Sequence, residues 1–299
     1  MKRVLPFGLG WQRDLPDCRD YTPATKEVQA ILSKSEPLKA AATAPPSIVD
    51  LRADCSPIED QGSLGSCTAH AGVGLYEYYQ RRAFGKHIDG SRLFLYKATR
   101  NLLGWEGDTG AYLRTTMGAM ALFGVPPESY WPYAIPTFDD EPAAFLYAFG
   151  QGYKSIKYFR LDPPQDTRAI VLERIKHFIA ARLPCMFGFT VYSSFPYPGD
   201  GRKDIPYPTA NDSVLGGHAV MAMGYDNNRT IGGKKGALLI RNSWGTSWGD
   251  SGYGWLPYDY VLNGIAVDFW SLVQAEFVNT DLFELTTTAA MAERVLVNT

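Results

Sequence analysis

Cysteine is scarce in this 299-residue chain: there are four, Cys18, Cys55, Cys67 and Cys185, and no two are spaced as C-x-x-C. That density excludes a disulfide scaffold and that spacing a zinc ribbon. Concentrated charge is missing too, since 29 basic and 31 acidic side chains leave a net charge of −2 with no block of five or six like charges. Nucleic-acid binding therefore has no electrostatic support. No run approaches 18 uninterrupted apolar residues, so no membrane span is expected. Met1 to Gly10 begins like a signal peptide, but Pro6, Gly8 and Gly10 break the apolar run and no small-x-small site follows. The default expectation is a soluble cytoplasmic protein, with export by another route left open. No internal repeat of 20 to 50 residues occurs, and no cofactor or metal is called for.

What is present is an ordinary globular composition, 45% hydrophobic, with 29 Gly, 20 Pro and 18 Tyr favouring strands and turns over an all-helical bundle. Residues 1–47 form a turn-rich lead, with a short helix expected after Thr22-Pro23 on the apolar face of Val28, Ile31 and Leu32, then an exposed linker over 33–47. From 48 to 153 helical patterns dominate: one begins at Ser66 and carries Ala69, Gly72, Val73 and Tyr76, and others cover 91–103 and 111–123. From 154 to 278 a helix at 167–181 gives way to strand-like runs at 185–191, 218–225 and 237–242. A helical half followed by a strand-rich half predicts an α+β protein of two lobes with a cleft between them. Residues 279–299 form a tail without distinctive chemistry.

Gln61-Gly62-Ser63-Leu64-Gly65-Ser66-Cys67 places a cysteine in the first turn of the Ser66 helix. The unpaired N–H groups and positive dipole end there favour thiolate over thiol, so Cys67 is expected to be a nucleophile with a lowered pKa. A buried structural cysteine is the competing reading of the residue by itself. A thiolate nucleophile needs an imidazole, and of His70, His87, His177 and His218 the last sits at the mouth of a strand, in Gly216-Gly217-His218-Ala219. His70, three residues after Cys67 on the same helix, leaves little room for substrate and reads as structural. If strands 218–225 and 237–242 form a hairpin centred near Thr230, Gly224 faces Gly236, Ala222 faces Leu238, Val220 faces Ile240 and His218 faces Asn242. Opposed side chains then lie about 5 Å apart at Cβ, and the Asn242 oxygen can hold one imidazole tautomer. A shift of one residue would put the two on opposite faces.

These segments resemble the papain-like cysteine peptidases, over roughly 48–278. Gln61 to Cys67 resembles the nucleophile segment, Gly217-His218-Ala219 the histidine segment, and Asn242-Ser243-Trp244-Gly245-Thr246-Ser247-Trp248-Gly249-Asp250-Ser251-Gly252-Tyr253 the asparagine segment. His218 follows Cys67 by 151 residues and Asn242 follows His218 by 24, which matches the family's spacing. The segment Gly10 to Tyr21 is similar to one found ahead of bacterial members, and the whole resembles the xylellain-type branch. The resemblance implies a helical left lobe, an antiparallel β-barrel-like right lobe, and a thiol peptidase acting through a thioester on a peptide or protein. Cys67 is implied as nucleophile, His218 as base then acid, Asn242 as its orienting partner, and Gln61 with the Cys67 N–H as oxyanion donors. Trp244 would cover the Asn–His contact. Asp108 and Gly110 are implied as contacts to substrate backbone. Gly188, Gly217, Ala266, Asp268 and Trp270 are implied around the main pocket, where an acidic group could admit a basic side chain. Leu64 and Thr68 depart from the family, which usually has a bridged cysteine and an aromatic residue there.

An acyl transferase or isopeptidase using the same thioester, and an inactive papain-like binding module, are the alternatives. The lead is expected to lie either across the cleft, restricting access to Cys67, or against the back of one lobe. Thirty extended residues from Cys18 to Ile48 span about 100 Å, against a radius of gyration of about 19 Å, so reach permits both. Cys18 and Cys55 could form one bridge tying the lead to the catalytic lobe.

Overall fold

The computed structural model describes residues 7–35, 38–39, 45–150 and 157–273. The expected tail, 279–299, lies outside them. In chain order the elements are α1 (Lys26–Leu32), β1 (Ile48–Asp50), α2 (Cys67–Phe84), α3 (Arg92–Leu103), α4 (Leu113–Phe123), α5 (Ala144–Gly150), β2 (Lys157–Arg160), α6 (Arg168–Ala180), β3 (Cys185–Tyr192), β4 (Val214–Ile231), β5 (Lys234–Arg241), β6 (Tyr253–Pro257), α7 (Asp259–Leu262) and β7 (Ala266–Val273). This is the expected α+β division, helices first and an antiparallel sheet after them.

Helix ends follow local chemistry. The Ser91 hydroxyl caps α3 by accepting from Phe94 N at 3.2 Å, and Thr167 caps α6 by accepting from Ile170 N at 3.4 Å. Gly85 ends α2 in the left-handed conformation, φ 68°, which glycine adopts without a Cβ clash. Helix α1 starts at Lys26, later than the Thr22-Pro23 signal suggests, because Thr22, Pro23 and Ala24 are taken up in a turn closed by Thr25 N donating to Thr22 O.

Helix α2 is the spine: every residue from Cys67 to Gln80 is buried, because it packs on α3 and α4 on one side and on β3 and β4 on the other. The sheet runs β2-β7-β3-β4-β5-β6, all antiparallel, with β1 added to β4. The β4–β5 hairpin corrects the expected register. It turns at Gly232-Gly233, φ 56° and 80°, so β4 runs on to Ile231, and bulges shift the pairing to Ala222 with Ile240 and Gly224 with Leu239. Two consecutive positive-φ glycines make the tight turn that a centre at Thr230 could not.

The lead divides its length. Residues 7–12 enter the cleft between the lobes. Beyond them, Arg160 N donates to Tyr21 O at 2.7 Å, Val28 and Leu32 are buried, and Tyr225 Oη donates to Pro46 O at 2.8 Å, so Tyr21 and Pro46 are tied to the strand lobe. All four cysteines are free, with Cys18 exposed and the others buried; the Cys18–Cys55 bridge is not formed. Among the described residues, no helix is long and apolar enough to cross a membrane and no metal-binding cluster occurs.

Candidate active site

The nucleophile segment is held from below. Asp108 accepts from Gly65 N at 3.0 Å and from Tyr96 Oη at 2.6 Å, so this carboxylate props the Cys67 loop and is engaged there instead of awaiting a substrate backbone. Ser66, the residue before α2, makes no side-chain cap. The first amides of the helix are therefore left for whatever occupies the cleft. Ser66 Oγ instead meets Tyr133 Oη at 2.7 Å, and Tyr133 Oη donates to Gln61 O at 2.9 Å. His70 lies behind this group with Nδ1 3.1 Å from Ser66 O, and burial holds its imidazole down at about 3, so it is neutral.

His218 projects from β4 and Asn242 follows β5. The bulged hairpin still joins them: His218 Nε2 lies 2.7 Å from Asn242 Oδ1. The same oxygen accepts from Ser243 N at 2.8 Å. It is thus an acceptor, which makes Nε2 the protonated nitrogen and leaves Nδ1 a bare lone pair, buried and without a hydrogen-bond partner. Trp244 covers this pair with its ring centroid 4.7 Å from that of His218. Its buried position excludes water from the Asn–His contact.

Gln61 is fully buried, and its side chain is fixed at both ends. Ser243 Oγ donates to Oε1 at 2.6 Å, while Nε2 donates to Leu64 O at 2.8 Å and to Gly8 O at 3.0 Å. The amide expected to face an oxyanion therefore faces a carbonyl of the lead. Residues 7–12 continue this contact: Gly8 N donates to Gly62 O, Ala111 N to Gly10 O, Trp11 N to Gly217 O and Gln12 N to Ala111 O, at 2.8–3.1 Å. Phe7 stacks on Trp244 with centroids 4.7 Å apart. The approach is so close that a Cβ on Gly10 would stand 1.7 Å from Gly65 O, and one on Gly110 would stand 2.0 Å from Gly10 O. Glycine is required here for proximity of backbones.

This cover changes the electrostatics. The helix N-terminus predicts a lowered Cys67 pKa, but with the cleft filled, burial pushes the thiol up to about 11, against the opposing backbone hydrogen bonds from Ala219, Gly10 and Thr68. Burial likewise holds His218 down at about 4, although Asn242 favours its charged form. Under the lead burial disfavours the charged form of both groups, against the direction expected for a thiolate and an imidazolium.

Trp11 fills the pocket that Gly188, Gly217 and Asp268 surround, and its Nε1 donates to Asp268 Oδ2 at 3.1 Å. Trp270 does not line it as expected: it is fully buried, donates to Asp268 Oδ1 at 2.7 Å, and supports that carboxylate from behind. Sequence reasoning missed Ser243 and Tyr133, which fix Gln61, and the part of Trp11. A tryptophan flanked by Gly8, Gly10 and a polar stretch was the available signal.

Residues 45–268 match the family described as papain family cysteine protease. The chain belongs to that family. It is a cysteine-type peptidase, a hydrolase whose substrates are peptides or proteins. It is 35% identical over 216 residues to an uncharacterized peptidase C1-like protein of Acanthamoeba polyphaga mimivirus, covering 71% of this chain and 68% of that one. It is 28% identical over 214 residues to cathepsin K of Gallus gallus, covering 70% and 58%. The structure of xylellain, a cysteine protease from Xylella fastidiosa, superposes with a TM-score of 0.73 at 32% identity, covering 92% of this chain and 99% of that one. The likeness is to the bacterial, xylellain-type branch, and it extends into the lead because it spans more of the chain than the family match does.

Proposed function

We propose that this papain-family chain cleaves peptide bonds with Cys67 as nucleophile and His218 as proton carrier, and that residues 7–12 keep it covered until they are displaced. The observation that carries the chemical reading is the imidazole whose Nε2–H is held by Asn242 while its Nδ1 stays bare, across the cleft from a cysteine at an uncapped helix N-terminus. In the open enzyme Nδ1 takes the thiol proton. Sγ attacks the peptide carbonyl carbon, and the oxyanion accepts hydrogen bonds from Gln61 Nε2 and the Cys67 N–H. The imidazolium gives its proton to the leaving nitrogen as the C–N bond breaks, leaving a thioester. A water then loses a proton to Nδ1, attacks the thioester, and releases the acid and the thiol. Asn242 and Trp244 act as positioning and shielding residues.

The regulatory reading rests on the Gly8 carbonyl bonded to Gln61 Nε2 and on the rise in the thiol pKa under the lead. One segment removes an oxyanion donor and the thiolate together. Labelling by a thiol-directed epoxide tests both parts. Slow labelling of the full chain, fast labelling after displacement of residues 7–12, and none in Cys67→Ala are expected. Fast labelling at a cysteine other than Cys67 would overturn the chemical reading, and equal rates in covered and displaced protein would overturn the regulatory one.

A further inference from the structure

The pocket under Trp11 is built, and its construction specifies a ligand. Strand β7 carries one extra residue opposite β3: Met186 pairs with Trp270 and Gly188 with Val267, so a step of two positions on β3 faces a step of three on β7. The bulge contains Asp268, a non-glycine residue at φ 64°, in the left-handed region where side chains are rarely found. Asp162 pins this conformation by accepting from Asp268 N at 2.8 Å and from Phe269 N at 3.0 Å. Bulges and strained residues of this kind re-aim side chains near functional sites. Here the result is a fully buried carboxylate with one oxygen turned to the cleft.

The charge of that carboxylate is already matched. Oδ1 is 3.1 Å from Arg160 Nη1 and accepts the Trp270 indole N–H, which leaves Oδ2 to the pocket. Arg160 also pairs with Asp162 at 3.0 Å and lies 3.7 Å from Asp20, while Arg114 is held by Asp14 and Asp20 of the lead. Asp14 and Asp20 serve Arg114, and Arg160 spans Asp162 and Asp268 within the strand lobe. A lysine or arginine entering the pocket would have to share a buried carboxylate with Arg160 and shed its own water. The walls are flat and bare: a Cβ on Gly188 would stand 1.9 Å from Trp11 Cε2, and one on Gly217 would stand 2.8 Å from Trp11 Cε3. A planar ring fits between them, and a neutral ring N–H satisfies Oδ2.

We propose that this chamber is a substrate side-chain pocket selecting tryptophan over phenylalanine, lysine and arginine, with Asp268 as its specificity-determining residue and Trp11 as an internal occupant of the same chemistry. The proposal rests on the peptidase reading above and reverses the expectation that an acidic group here admits a basic side chain. Phenylalanine fills the slot but leaves the buried Oδ2 without a donor, which a hydrogen bond to a charged group makes worth about tenfold to a hundredfold.

The test uses the full chain carrying Trp11→Ala, which vacates the pocket. Quenched fluorescent peptides are compared in which Trp, Phe, Lys, Arg or Ala is stepped through the positions on either side of one cleavable bond. At one position Trp is expected to exceed Phe by about tenfold or more in kcat/KM, with Lys and Arg below Phe. Asp268→Asn should shrink the Trp-to-Phe ratio to a few-fold, and Gly188→Ala should lower the rate for Trp more than for Ala. A preference for Lys or Arg, or equal rates for Trp and Phe at every position, overturns the proposal. A second measurement does not depend on turnover: N-acetyl-tryptophanamide should raise the unfolding temperature of Trp11→Ala protein more than the phenylalanine or lysine analogue does. Absence of that order also overturns it. Loss of all cleavage with Cys67 unlabelled, but with the ligand order intact, would fault the peptidase reading and leave the pocket standing.

Discussion

Replacing Trp11 by alanine in the full chain should uncover Cys67. Trp11 is 6% exposed, and its indole lies against Gly188 and Gly217 with its N–H on Asp268. A side chain of this kind buries about 150–250 Å², and truncating one to alanine costs about 3–5 kcal/mol. This energy acts on a local equilibrium between covered and open cleft, in which residues 7–12 would be left with their backbone hydrogen bonds and the Phe7–Trp244 stack. At about 1.4 kcal/mol per power of ten, the open population rises by about two to three and a half powers of ten. The gain stops when the open state predominates. The assay is the second-order rate of epoxide alkylation, read by intact mass and mapped to Cys67, with circular dichroism and cooperative melting as checks on the fold. A folded Trp11→Ala protein alkylated at the wild-type rate would refute the reasoning, since it would mean that the segment fills the cleft without controlling entry.

Gly10→Ala should act in the same direction by a different route, because its Cβ would stand 1.7 Å from Gly65 O and the segment must lift there; faster alkylation in a folded protein is the expected result. In the Trp11→Ala background, Gln61→Ala should lower kcat about 10²- to 10³-fold through loss of one oxyanion donor, with steady-state hydrolysis as the measurement. The pH dependence should separate the two states. Burial raises the Cys67 pKa to about 11 under the lead, so thiolate is the minor form throughout the neutral range and the wild-type alkylation rate should climb about tenfold per pH unit towards that value. The Trp11→Ala protein should level off at lower pH, because solvent again reaches the helix N-terminus and His218. Parallel profiles for the two proteins would count against burial as the cause.

The cysteine at the head of a helix was legible because a glycine-rich loop before an apolar 3.6-residue period is a local signal, and Cys67 does begin α2. The His218–Asn242 contact was legible as chemistry but not as register. Two bulges in β4–β5 change which residues oppose each other, and the side chains still meet because Asn242 stands just past the strand end. Bulges leave little trace in a hydrophobic pattern, since the alternation continues on either side. What lay beyond sequence reasoning were contacts between distant segments: Gly8 with Gln61, Trp11 with Asp268, Asp162 with the amides of Asp268 and Phe269.

Those distant contacts explain why the electrostatic expectation for Cys67 reversed. The helix end favours a Cys67 thiolate only while water or an imidazolium shares the cleft, and the lead replaces both with peptide. Gly8 and Gly10, which read as turn signals, are in fact sites of backbone contact, where the absence of Cβ lets one chain segment lie on another. Their role could be assigned only once the surface they touch was known. The same glycines that permit the cover make it dependent on an anchor, because a backbone without side chains buries little apolar area. Trp11 supplies that anchor, so the stability of the covered state and the preference of the vacated pocket follow from one set of contacts, and Asp268→Asn in the full chain should weaken both together.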